Sequence, residues 1–193
     1  MHMRYPPGHK GEVHHNIVQD ASQRVRAEGL NGAAVAAVMR DTGLTHGGFY
    51  KHFASKDDLL VESLSAAFRE ITETLVQAAE RSKPGDAWKA IVKAYLRPEM
   101  CEHPERGCPV AALAPELARA TQRMKPQIVA ELVSYKNRMV PFMPGRRAAD
   151  RERAFFAIFS TMIGTVAIAR MLPNSAMRES VLANARNFLL RSF

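Results

Sequence analysis

A phenol, an ammonium and an imidazole stand in succession at Tyr50, Lys51 and His52, just after the glycine pair Gly47-Gly48. All three can donate hydrogen bonds, and the ammonium carries a full charge. Such groups suit phosphate oxygens and the edges of bases. Lys56 follows at the start of the next apolar-periodic segment, where an ammonium and free backbone amides can meet one phosphate. Upstream, Gly43 can end one helix and the Thr45 hydroxyl can cap another.

These residues need two short helices joined by a glycine turn, the helix-turn-helix arrangement. Val13, Ile17, Ala21 and Val25 fall four apart and predict a first helix that stops near Gly29. Val35, Val38 and Met39 mark a short second helix ending before Gly43, and the third runs from Thr45 to about Phe53. Thr45, His46, Gly47 and Gly48 then open the recognition helix, at the end that enters a major groove. The glycines let the backbone approach closely; the alternative is that they only make a loose turn. Phe49 and Phe53 read as packing residues that hold the short helix against the first.

Thr42-Gly43-Leu44-Thr45, then Tyr50-Lys51-His52-Phe53, then Lys56 and Leu59 resemble the amino-terminal pattern of the TetR family of bacterial transcriptional regulators, over about Gly11 to Leu64. The resemblance implies an all-α fold, with a three-helix DNA-binding domain and a helical ligand-binding and dimerisation domain. Its implied boundaries are a flexible arm at 1–10, a helix-turn-helix domain at 11–56 and the helical remainder at 57–193. It implies that Tyr50 and His52 hold phosphates; otherwise Tyr50 is a half-buried aromatic, and Lys51 is simply solvated. It also implies a repressor that binds a palindromic operator in double-stranded DNA as a homodimer and is released by a small effector. The chain departs from the family pattern at Ala34, where a hydroxyl residue commonly holds a phosphate. Losing that contact costs roughly 1 kcal/mol of binding.

Composition agrees with this class without deciding it. The formal net charge is +8 and the pI about 9.9, which favours a polyanionic partner. Six of the seven histidines lie in residues 1–56, so that part becomes more basic as pH falls. Nothing at the start resembles a signal peptide, and the apolar run from Ala154 to Ala169 is short for a membrane span. The reading is a cytoplasmic protein with no membrane partner. Gly-x-Ser-x-Gly, a phosphate loop and His-Glu-x-x-His are all missing, so no enzyme class and no cofactor is implied.

Helical spacing continues to the carboxy terminus. Ser55 and Asp58 predict a capping box before a fourth helix bearing Leu60, Leu64, Phe68, Ile71 and Leu75. Asp86 is placed to cap a fifth. Cys108-Pro109 reads as a helix start, with Pro115 able to kink or divide that apolar segment. Three more helices are expected at about 124–139, 149–172 and 176–191. The last two carry apolar residues around more of their circumference than one amphipathic face needs. A twofold four-helix bundle would cover the excess; cover by other helices of the same chain is the alternative.

Candidate effector-lining residues are Trp88, Tyr95, Met100, Leu113, Met124, Ile128, Phe142, Phe159 and Met162. Methionine and aromatic side chains adapt to apolar ligands, but the same spacing also describes an ordinary core. No charged residue stands out as an anchor, which points to an apolar or neutral effector. Cys101 and Cys108 give a second reading, a redox- or electrophile-sensing DNA-binding regulator, because a thiol at a helix start can have a lowered pKa. The bland alternative is a pair of small buried thiols. Ligands for a structural metal at familiar spacing are not present.

Overall fold

A computed structural model of the chain describes residues 9–31, 38–40 and 46–193, and no strand occurs among them. The first helix, α1, spans His9–Glu28, and residues 38–40 are helical. Next come α2 (His46–Phe49), α3 (Lys56–Glu80), α4 (Ala87–Tyr95), the short α5 (Glu99–Glu102) and a 3-10 turn at Pro104–Arg106. The body is completed by α6 (Pro109–Ala118), α7 (Lys125–Met139), a 3-10 turn at Val140–Phe142, α8 (Ala148–Arg170) and α9 (Ser175–Ser192). The expected arm reached residue 10, yet His9 and Lys10 already belong to α1; residues 1–8, with the rest of that arm, lie outside the described residues.

Local chemistry explains most starts and two exceptions to the expected caps. Ser55 is extended, and its hydroxyl accepts the Asp58 amide at 3.2 Å, which opens α3. The reciprocal half of the box is not formed. Asp58 accepts instead from Arg123 at 2.7 Å, because a charged guanidinium is the stronger donor. Asp86 likewise does not cap α4: it accepts from Lys89 Nζ at 2.8 Å, which holds its carboxyl below the usual carboxylate range. Pro109 occupies the first position of α6, and that helix continues unbroken past Pro115.

Two apolar clusters form. The amino-terminal one gathers Ile17, Ala21, Val25, Val38, Phe49 and Phe53. It does not end at residue 56, since Leu59, Leu60, Leu64, Leu113, Leu117, Met124 and Ile128 belong to it. The carboxy-terminal cluster gathers Phe68, Ile71, Leu75, Trp88, Tyr95, Tyr135, Phe155, Phe159 and Met162 among others. Helix α3 runs through both and is their common spine. Helix α8 is long and apolar enough to cross a membrane by length and composition. Here Ala154, Phe155, Ile158, Phe159, Met162, Thr165, Val166 and Ala169 face the core, at helical spacing.

The two parts are also joined by one charge. The Arg26 side chain on α1 has 0% exposure, and its Nη2 pairs with Glu70 of α3 at 2.6 Å. It also donates to the Ser22 carbonyl at 3.1 Å and the Gly107 carbonyl at 3.3 Å. A buried guanidinium stripped of its carboxylate is costly. Glu70 is itself partly solvated, which screens the pair. Glu70→Ala is therefore expected to lower the unfolding free energy by about 1–3 kcal/mol in urea titration. Glu70→Gln, which keeps an acceptor, should lose less; an unchanged midpoint for Glu70→Ala would show that the pair carries no stability.

Candidate functional site

The recognition segment is held from below by aromatic packing. Phe49 and Phe53 are buried against α1, as packing residues should be, with ring centroids 5.4 Å apart. Their burial turns the alternating residues outward. Tyr50 is 56% exposed, so it is not a half-buried aromatic; its ring meets Phe49 edge-on at 5.2 Å. Lys51 is exposed and His52 half-buried. Lys56 is the first residue of α3 and is half-buried. Two carboxylates share the first turn of that helix, but Asp58 is paired with Arg123 and Asp57 accepts from the Thr121 hydroxyl at 2.9 Å. Thr45 and the side chain of His46 lie outside the described residues, as do Ala34 and Val35.

Two further residues join this face that the sequence pattern did not single out. His14 stacks on Phe53 with centroids 4.6 Å apart and lies 5.8 Å from the His52 ring. Its Nε2 is 2.6 Å from Glu62. Lys10 stands one turn earlier on α1 and is exposed. The signal was present, since Lys10 and His14 are four apart on one helix face. Burial lowers the His52 pKa first, and the positive neighbours His14, Lys10 and Lys51 lower it further. The smaller, electrostatic part of that depression reflects neighbouring cationic groups, which a phosphate would offset.

The nine residues expected around an effector divide between the two clusters. Trp88, Tyr95, Met100, Phe159 and Met162 are buried in the carboxy-terminal cluster, with Phe142 partly buried against it. Leu113, Met124 and Ile128 pack instead into the amino-terminal cluster. The reason is register: Leu113 and Leu117 are four apart on the side of α6 that faces the head, and Met124 and Ile128 are four apart toward the start of α3. These three couple head to body and do not share a volume with the other six.

Cys101 and Cys108 are free and buried. Cys108 does stand at the start of α6, but burial raises its thiol pKa despite the amides of Ala111 and Val110. Burial raises that of Cys101 as well. The lowered pKa expected for a helix start is thus overturned by desolvation, and neither thiol is poised as a nucleophile.

A cleft of about 530 Å³, open to solvent, lies where head meets body. It is lined by Arg26, Glu28 and Gly29 of the α1 end, by Ala111, Ala112 and Glu116 of α6, and by Ala167 and Arg170 of α8, with Cys101 and Pro104. Gly29 ends α1 at φ +84, and a side chain there would meet Glu116 Oε1 at 2.9 Å. That carboxylate accepts the Leu30 amide at 2.8 Å. Arg26, Glu116 and Arg170 were not anticipated, because their partners lie about 40 to 90 residues away along the chain.

A short helix followed by exposed and half-buried groups able to donate to phosphates, on a helical body, fits one class: a DNA-binding protein of all-α build. Residues 17–62 match the family described as "Bacterial regulatory proteins, tetR family". Across the chain, a TetR transcriptional regulator from Chloroflexus aurantiacus superposes with a TM-score of 0.76 at 22% identity, covering 94% of this chain and 96% of the other. A TetR-family regulator from Agrobacterium tumefaciens gives 0.73 at 19% identity, covering 94% and 98%. The regulator FadR from Bacillus subtilis, in complex with stearoyl-CoA, gives 0.68 at 14% identity, covering 93% and 99%. The chain matches none of the curated proteins. Residues 17–62 thus match that family's DNA-binding domain, and the chain as a whole shares the fold of the TetR-family structures.

Gly47 yields a sharp test of the interface. It is exposed, its φ is not left-handed, and an added Cβ would meet nothing within 4 Å. Neither the backbone nor the packing of this protein requires glycine there. Gly47→Ala should therefore leave thermal stability unchanged or raise it by up to about 1 kcal/mol. If bare backbone is needed against a groove, the same change weakens operator binding by about tenfold, equivalent to about 1.4 kcal/mol. Full affinity in an electrophoretic shift assay would remove Gly47 from the interface.

Proposed function

We propose that the chain is a homodimeric, effector-responsive transcriptional regulator, acting in the cytoplasm as a repressor at a near-palindromic operator. The observation that carries the reading is the set of exposed Tyr50 and Lys51 with half-buried His52 and Lys56, supported on buried Phe49 and Phe53 and joined by Lys10 and His14. Residues 11–56 act as the DNA-reading head, and 57–193 as the effector-binding and dimerising body. His46, Gly47 and Gly48, with Thr45 before them, approach base edges, while Tyr50, His52 and Lys56 hold phosphates. The complex of Bacillus subtilis FadR with stearoyl-CoA is support by analogy for a small-molecule effector. Response through Cys101 and Cys108 is not favoured, since both thiols are buried and raised in pKa.

Selection of bound sequences from random double-stranded DNA tests the reading and supplies the operator. On that operator, Tyr50→Phe and His52→Ala should weaken binding to all sequences alike. Each lost phosphate contact should flatten the salt dependence by about one unit of slope. Loss confined to one base pair would reassign these residues to base recognition, and the absence of any enriched sequence would defeat the proposal.

The dimer is proposed to form through α8 and α9. Phe156, Ile168, Met171 and Phe188 are 53%, 50%, 75% and 62% exposed, although they are among the most apolar residues of the body. A solvated surface of this kind is unfavourable, and a second copy covers it by twofold symmetry. The two heads then address half-sites about one turn of DNA apart or somewhat more. Sedimentation at micromolar protein should give a dimer, and Phe156→Glu with Phe188→Glu should give a folded monomer. A wild-type monomer that binds a single half-site would overturn the assembly.

A further inference from the structure

The junction cleft contains a cation whose charge has no carboxylate partner among the described residues. Arg170 lies at the end of α8 and is half-buried. Among the described residues its hydrogen bonds all go to one carbonyl, Met100 O, from Nη2 at 2.8 Å and Nε at 3.3 Å. Arg26 in the same cleft is different, since Glu70 neutralises it at 2.6 Å. Glu105 is the acidic group whose field reaches Arg170, and its carboxylate is engaged by His103 at 3.3 Å. Gly107 makes room for this arrangement: any Cβ there would collide with the Arg170 guanidinium, while its carbonyl takes Arg26. A half-desolvated guanidinium satisfied by one carbonyl keeps unused planar donor capacity, and the partner that fits it is a planar anion.

The rest of the cleft narrows the ligand. Its volume of about 530 Å³ is that of a small-molecule site. Ala111, Ala112, Ala167 and Pro104 give it short apolar walls. Glu28 and Glu116 also line it, and they disfavour a dianion such as phosphate more than a singly charged group. We propose that this cleft binds a monocarboxylate with a compact apolar body, its carboxylate on Arg170, and that this is how the effector acts on the head. The regulatory half rests on the DNA-binding reading above; the binding half does not. The proposal departs from the sequence-based expectation of an apolar or neutral effector, because the anchor lies in the last turn of a long apolar helix and meets the cleft only in the fold.

Calorimetry on the whole free protein tests binding without DNA. The probes are benzoate and hexanoate, their neutral amides, and inorganic phosphate. At millimolar concentrations at least one carboxylate should bind saturably, its amide about tenfold more weakly or not at all, and phosphate more weakly than the carboxylate. Arg170→Gln should weaken the carboxylate by about tenfold or more. Ala111→Leu fills the cleft while sparing Arg170, and should also abolish binding. No saturable binding by either carboxylate, equal binding of acid and amide, preference for phosphate, or indifference to both variants would overturn the site. Comparing acid with amide on the native protein decides the matter even if a variant misfolds. The bound carboxylate should then weaken operator affinity; binding that leaves it unchanged overturns the effector role, whereas failure of the free chain to bind any DNA would fault the reading beneath it.

Discussion

A single buried guanidinium sets the geometry on which the rest depends. Arg26 is fully enclosed at the junction of α1, α3 and the loop before α6, with Glu70 at 2.6 Å and the Gly107 carbonyl at 3.3 Å. A buried charge tolerates little displacement, because each lost contact leaves it unpaired in a poorly polarisable place. Apolar side chains at the same junction could slide past one another at small cost, whereas the Arg26 bonds have direction. The angle between the head and α3 is therefore held by directional bonds as well as by packing. That matters because the proposed DNA-facing element is a short helix of four residues.

Cohesion of the head is likewise borrowed. Its cluster is completed by Leu59 and Leu64 of α3, Leu113 and Leu117 of α6, and Met124 and Ile128 around the start of α7. A unit of fewer than fifty residues buries too little apolar surface to be firmly stable alone. Sharing its core with the body removes that weakness and has a functional consequence. A shift of α6 cannot leave the head unaffected, because Leu113 and Leu117 belong to the head's core and Glu116 holds the Leu30 amide at 2.8 Å.

What could be read from the sequence was what depends on neighbours along the chain. Helix existence, the Ser55 cap, the start at Pro109 and the aromatic support of Phe49 and Phe53 follow from periodicity and local chemistry. The helix ends at 139, 170 and 192 lie within two residues of where spacing places them. Competition between partners could not be read. Asp58 chose Arg123 over its own helix end, and Asp86 chose Lys89 over the α4 amides. Burial could not be read either, so Cys108 seemed activated by its helix when its surroundings suppress it. Eight of the nine apolar candidates are buried and Phe142 partly so, but composition carries no sign of which of two cores receives each one. Arg170 shows the same limit at its plainest, as one arginine closing an apolar run whose meaning comes from Met100, 70 residues away.

The arrangement of the junction also constrains how any effector can act. A ligand changes an equilibrium only by binding one form better than another, and operator DNA must then reduce ligand affinity by the same factor. A site deep among Trp88, Phe159 and Met162 would have to pass its effect through several packed side chains before reaching the head. The junction cleft needs no such relay. One of its walls is the end of α1 itself, at Arg26 to Gly29, and another is α6, which carries both Glu116 and residues of the head's core. Any ligand that widens the space between Arg170 and Gly29 pulls directly on the Glu116–Leu30 bond and on the Arg26 anchor. Shifting a two-state equilibrium takes a few kcal/mol of differential binding, comparable to one directional contact of this kind. Position in the fold, more than the size of the cavity, is therefore what makes this cleft suited to control.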